Sequence, residues 1–190
     1  MAKRSELGIP IHGPLVGSIG RLTPQKGYHV LLQAIPHVLQ QVPDAHFIIV
    51  GDGELADSLD QQAHNMGITD RVTFTGPRSD IEAILSSLDL FVSSSLWEGL
   101  PTVILESIAA RVPVVGTQVS GTTELIQNGE SGLLVEAEKP EALAKAIVAT
   151  LRDPIAARDR AERAINHTSA RYTITAISKA HQGLYQQLLD

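Results

Sequence analysis

The sequence predicts an α/β fold, a three-layer α/β/α domain around a six-stranded parallel sheet. Two observations carry that prediction. Short apolar runs of strand length alternate along the chain with stretches whose apolar residues fall at helical spacing. The 190 residues, 43% of them hydrophobic, suffice to bury one core and contain neither an internal repeat nor a low-complexity segment.

The elements follow in order. Residues 1–13 are polar and punctuated by Gly and Pro, so they read as a tail or interdomain linker with room for a short helical turn at 5–7; the domain is expected over 14–190. Buried strands are expected over 15–20 (LVGSIG), 46–51 (HFIIVG), 72–75 (VTFT), 89–93 (DLFVS), 113–117 (PVVGT) and 132–135 (GLLV). Helices are expected in the gaps, over 27–42, 54–66, 79–87, 101–111, 122–127 and 140–152, with two more after Pro154. Pro36 should kink the first of these, and Pro101 is placed to open the fourth. In the last segment, 174–189, Ile174, Ile177, Leu184 and Leu188 recur at helical spacing.

Composition narrows the functional classes. The longest apolar runs fall far short of the roughly 20 residues that a membrane helix needs. Lys3 and Arg4 are followed by no apolar stretch of the signal-peptide kind, and the absence of cysteine excludes disulfides and thiolate metal sites. A cytoplasmic protein is the expectation. A net charge of −6 with acids and bases intermixed argues against nucleic acid as a partner, so any bound phosphate must be held by local basic residues.

The residues with the most chemistry are Glu98 and Glu106 in EGLPTVILE, eight positions apart across a strand-to-helix turn. Glu98 falls in a loop at the C-terminal end of a parallel strand, where open α/β sheets bind ligands, and the next helix offers free N–H groups to a phosphate. Glu106 lies about one and a half turns into that helix and can look back toward the same ligand. Arg21 and Lys26, in GRLTPQKG at 20–27, flank the turn after the first strand. Two cations near a helix start oppose the macrodipole, which argues for a visiting anion over two solvated charges. Gly99, Leu100 and Thr102 suit close backbone approach to a ligand, although Thr102 is equally an ordinary first-turn residue. Ser93 to Ser95 read either as ligand contacts or as a polar strand end.

GDGELA at 51–56 matches a dinucleotide fingerprint, but Asp52 and Glu54 would repel a pyrophosphate, and the following strand ends in Gly76 where the ribose-binding acid belongs. Arg78 reads either as a base contact or as an exposed loop arginine. The seven histidines show no metal-ligand spacing, most are expected at the surface, and no D-x-D triplet is present. Neither a metal nor a cofactor is expected.

The blocks LVGSIGRL at 15–22, VGDG at 50–53, VTFTG at 72–76, WEGLP at 97–101, VPVVG at 112–116 and GLLV at 132–135 occur in one order. In that order the chain closely resembles the C-terminal domain of the retaining GT-B glycosyltransferases of group 1 (GT4), and the likeness covers nearly its whole length. SGTTE at 120–124 resembles that family's Gly-Gly-x-x-Glu turn, with Ser120 in place of the first glycine. The resemblance implies one Rossmann-like half of a GT-B fold that binds a nucleoside-diphosphate sugar, with UDP, GDP and ADP as candidates, and transfers a hexosyl group to an alcohol acceptor.

Arg21 and Lys26, beside Gly20, would then hold and neutralise the diphosphate, and Glu106 would accept from the ribose hydroxyls. Glu98 would contact the donor sugar and stabilise its oxocarbenium-like transition state as an orienting and electrostatic group. Gly51 and Gly53 would lie beside the base with Arg78, and Gly99, Leu100 and Thr102 beside sugar and phosphate. The acceptor-binding N-terminal half of such enzymes has no counterpart in these residues. The isolated chain is therefore expected to bind donor with little turnover, and any membrane contact would run through that missing half. A non-catalytic nucleotide-binding or assembly module, and an NDP-sugar epimerase domain, are the alternatives.

Overall fold

In the computed structural model, residues 2–189 are described, with side chains over 3–187. A 5-residue helix α1 (Ala2–Glu6) precedes strand β1 (Leu15–Ile19), helix α2 (Tyr28–Leu39), β2 (His46–Val50), α3 (Ala56–Asn65), β3 (Val72–Phe74) and α4 (Ile81–Leu85). Then come β4 (Leu90–Ser93), α5 (Thr102–Ala109), β5 (Val114–Thr117), α6 (Ser120–Leu125), β6 (Leu133–Val135), α7 (Pro140–Arg152), α8 (Pro154–Tyr172) and α9 (Ile174–Leu189). The six strands form one sheet in the order β3-β2-β1-β4-β5-β6, every neighbour parallel. This is the expected Rossmann-like sheet.

Strand periodicity builds the two cores. Along β2, Phe47 and Ile49 face one helical layer while Ile48 and Val50 face the other, because successive side chains leave a strand on opposite faces. The first layer packs Leu31, Leu32 and Ile35 of α2 and Ile147 of α7 against Val16, Val92 and Val115. The second packs Ile84 of α4, Ile104 and Ile108 of α5 and Ala164 of α8 against Leu15, Phe91 and Val114. Pro36 sits inside α2, where helical bonds resume at once with Gln40 N–H donating to its carbonyl.

Three readings change. The segment expected as a tail or linker is docked onto the domain over its described residues: Ile9 is buried, Lys3 pairs with Asp80 at 2.8 Å, and Arg4 bonds the Gly13 carbonyl at 2.8 Å and Asp89 at 2.7 Å. The fifth expected helix, 122–127, starts two residues earlier as α6. His46 lies buried at the start of β2, its Nε2 2.8 Å from Thr73 Oγ1. The last helix forms as expected, yet Ile174, Ile177 and Leu184 stay exposed on it; the side chain of Leu188 lies outside the described set. No described helix is long and apolar enough to cross a membrane.

Candidate functional site

The strand order reverses direction between β1 and β4, so the loops that follow these two strands diverge and leave a crevice at their C-terminal ends. Those loops are 20–27 and 94–101, the two stretches that carry Arg21, Lys26 and Glu98. They are stitched to each other. Ser94 Oγ donates to the Lys26 carbonyl at 2.9 Å, Leu96 N–H to the Gln25 carbonyl at 2.7 Å, and Gln25 Nε2 to the Trp97 carbonyl at 3.1 Å. Gly27 permits the approach: it has φ +59°, and a Cβ there would lie 2.2 Å from the Ser94 carbonyl oxygen.

Stitching brings Lys26 Nζ to 2.6 Å from Glu98 Oε1. The Glu98 side chain is only 5% exposed, so the carboxylate needs these partners. Ser95 Oγ donates to the same Oε1 at 2.7 Å, whereas among the described residues Oε2 has only a long 3.4 Å contact from Gln25. The cavity they line also takes in Ser18, Tyr28 and the start of α5 at Thr102 and Val103, with Leu100 at its mouth. Burial, reinforced by the charge of Glu98, pushes the Tyr28 phenol up against the opposing hydrogen bond from Ser18, which keeps it neutral. At about 90 Å³ the cavity is far below the ~300 Å³ of a typical ligand pocket.

The other expected residues fall on neighbouring grooves. Gly20, Arg21, Gly51 and Arg78 line one of about 380 Å³, which touches the first cavity at Ile19. Arg21 therefore does not share a cavity with Lys26; the two cations flank Ile19. Arg78 is held by Asp80 at 2.8 Å and Glu6 at 3.0 Å, so much of its guanidinium is committed to anchoring α1. Those cations, Arg78 before Lys3, hold the Asp80 carboxyl well below the usual carboxylate range. Glu106 is exposed and lines a third groove with Ser79, Glu82 and Ala109, which meets the second at Ile81. Glu98 and Glu106 thus do not converge on one point. They stand at the two ends of a run of three adjoining depressions.

Two of the expected glycines work through the backbone. A Cβ on Gly51 would lie 2.0 Å from the Gly20 carbonyl oxygen, and one on Gly53 2.5 Å from that of Leu22. These residues let the loop after β2 cross tightly over the loop after β1; Gly53 lines none of the three depressions. Gly99 is open, with nothing within 4 Å of its Cβ position. Beneath it, a Cβ on Gly121 would lie 2.0 Å from the Gly99 carbonyl oxygen, and Gly121 N–H donates to the Glu98 carbonyl at 3.2 Å. The turn in which Ser120 replaces a glycine therefore retains the one glycine that this contact requires. Ser18, Gln25 and Tyr28 were not expected in the site, and Ser94 and Ser95 were expected there only as one of two readings, ligand contacts or a polar strand end. The signal for the serines was three in a row closing an apolar strand.

The sequence matches, over residues 2–167, the profile of a family described as glycosyl transferases group 1. The chain belongs to that family. Among curated relatives, it is 36% identical over 186 residues to the lipopolysaccharide core biosynthesis glycosyltransferase LpsE of Rhizobium meliloti, covering 98% of this chain and 52% of the relative. It is 34% identical to a D-inositol 3-phosphate glycosyltransferase of Corynebacterium urealyticum, covering 97% and 46%. The chain thus spans about half the length of the curated relatives it matches. Among solved structures, Anabaena Alr3699/HepE in complex with UDP and glucose superposes with a TM-score of 0.89 at 29% identity, covering 97% of this chain and 51% of that one. The C-terminal domain of a group 1 glycosyl transferase family protein (LpcC) from Francisella tularensis shares the fold, with a TM-score of 0.81 at 24% identity and 91% and 92% coverage. The group 1 chain described here corresponds to that C-terminal domain, one half of a GT-B fold.

Proposed function

We propose that this chain is the donor-binding half of a retaining, metal-independent glycosyltransferase, which moves a hexosyl group from a nucleoside-diphosphate sugar to an alcohol acceptor in the cytoplasm. The observation that carries the reading is the Lys26–Glu98 pair, a cation and a carboxylate brought from separate loops to the β1/β4 crevice. The three adjoining depressions fit an elongated ligand: ribose near Glu106, base beside Gly51 and Arg78, diphosphate between Arg21 and Lys26 along the first turn of α5, sugar at Glu98. Family membership and the UDP named with the Anabaena structure support a nucleotide-linked donor.

In the reaction, the bond from the anomeric carbon to the diphosphate breaks and the acceptor oxygen bonds the same face, while its proton passes to the departing phosphate oxygen. Lys26 and Arg21 neutralise the leaving charge, and the Glu98 carboxylate stabilises positive charge on the ring. The acceptor comes from an N-terminal half, for which the exposed Ile174, Ile177 and Leu184 of α9 offer an apolar contact. Calorimetric titration with UDP, GDP, ADP and their sugars, in EDTA, tests the reading. One nucleotide should bind without metal, and its sugar conjugate more tightly; a strict magnesium or manganese requirement, or no binding of any of them, refutes it.

A further inference from the structure

We propose that Ser95 is a positioning residue: its buried hydroxyl fixes the Glu98 carboxylate so that Oε2 alone is presented to the donor sugar. This rests on the donor-site reading above. Ser95 is 1% exposed, so its hydroxyl reaches Glu98 and not the crevice mouth. It donates to Oε1 at 2.7 Å, the oxygen that Lys26 also takes at 2.6 Å. With Oε1 doubly engaged, Oε2 carries only the 3.4 Å contact from Gln25 among the described residues and is the free acceptor for a ligand hydroxyl.

The serine is itself held. Thr117 Oγ1, at the end of β5, donates to the Ser95 carbonyl at 2.5 Å, and the neighbouring Ser94 holds the backbone of Lys26. Two consecutive serines therefore fix the two members of the ion pair, one through a carboxylate oxygen and one through a main-chain carbonyl. Lys26 cannot do this alone once a donor binds, because a diphosphate competes for its ammonium. The Ser95 hydroxyl has, besides Glu98, only a long 3.4 Å contact with Ser93 Oγ among the described residues, and it keeps the carboxylate in place at the moment when Lys26 turns to phosphate.

The test is a double-mutant cycle in this chain, read as the ratio of the dissociation constants of UDP and UDP-glucose, with GDP and GDP-mannose or ADP and ADP-glucose used if they bind better. Ser95→Ala should cut the preference for the sugar conjugate about tenfold, the scale of one hydrogen bond to a charged group, and leave the bare nucleotide within about twofold. Ser95→Thr, which keeps a hydroxyl, should restore most of the preference. In a Glu98→Gln background, Ser95→Ala should change the ratio by less than about twofold, because the carboxylate through which it acts is gone. Equal losses for nucleotide and conjugate would mark a merely structural serine and overturn the inference, as would full additivity with Glu98→Gln, which would mark direct contact with the ligand. A wild-type chain that binds nucleotide without preferring its sugar would overturn the assignment of Glu98 to the sugar, and this inference with it.

Discussion

Lys26→Met should destabilise the chain even with no ligand present. Its ammonium lies 2.6 Å from a carboxylate that is 5% exposed, while the lysine side chain itself is 23% exposed. Removing one partner of a buried ion pair costs about 3–5 kcal/mol, because the other charge stays buried without compensation. Ser95 still bonds Oε1 at 2.7 Å after the change, which puts the loss at the lower end, about 3 kcal/mol. With a urea dependence of about 2 kcal/mol per molar, the unfolding midpoint should fall by about 1.5 M. Adding Glu98→Gln should recover most of that, since an amide needs no counter-charge. A loss below about 1 kcal/mol, the range of exposed pairs, would refute the argument, as would a double variant no more stable than Lys26→Met.

Gly51→Ala should lose about 3 kcal/mol or fail to fold, because its Cβ meets backbone 2.0 Å away at a φ of +136°, whereas Gly99→Ala, with open space around it, should stay within about 0.5 kcal/mol in the same urea titration. Burial, with the charge of Arg71 second, holds the His46 imidazole below its ordinary 6.5. The unfolded chain therefore takes up a proton first as pH falls, so stability should drop below about pH 6.5; His46→Gln should remove that part of the slope, and an unchanged slope would contradict the assignment. Glu106→Ala should weaken nucleotide with or without sugar, and Glu98→Ala mainly the sugar's advantage, each by about 1.5–3 kcal/mol; equal losses on the bare diphosphate, measured calorimetrically, would sink that division of roles.

The sheet was legible because apolar runs in a doubly wound fold leave little choice: every expected strand is present, with ends moved by a residue or so. What escaped was set by partners remote in sequence. The first residues look like a linker by composition, and only Asp80 and Asp89, far along the chain, turn Lys3 and Arg4 into anchors. His46 looks like a surface residue until Thr73 on the adjacent strand is seen to receive it. The family resemblance put Gly51 and Gly53 beside the base; that both are also required because two loops cross there is a fact that no local pattern encodes.

The eight-residue spacing of Glu98 and Glu106 illustrates the same limit. Along the chain, the spacing suggested two carboxylates looking toward the same ligand, without saying how far apart they would meet it. In the fold, Glu98 turns inward, where Lys26 and Ser95 hold it in the β1/β4 crevice, while Glu106 emerges on the outer side of α5 toward α4. The depressions they line are joined only through a third, at Ile19 and Ile81. A small ligand could meet one carboxylate or the other; one with a charged centre and two polyhydroxylated ends could meet both, with Arg21 and Lys26 between them. The separation of the two carboxylates therefore argues for an elongated donor more strongly than their proximity in sequence did, and it makes their variants separable by the ligand used to probe them.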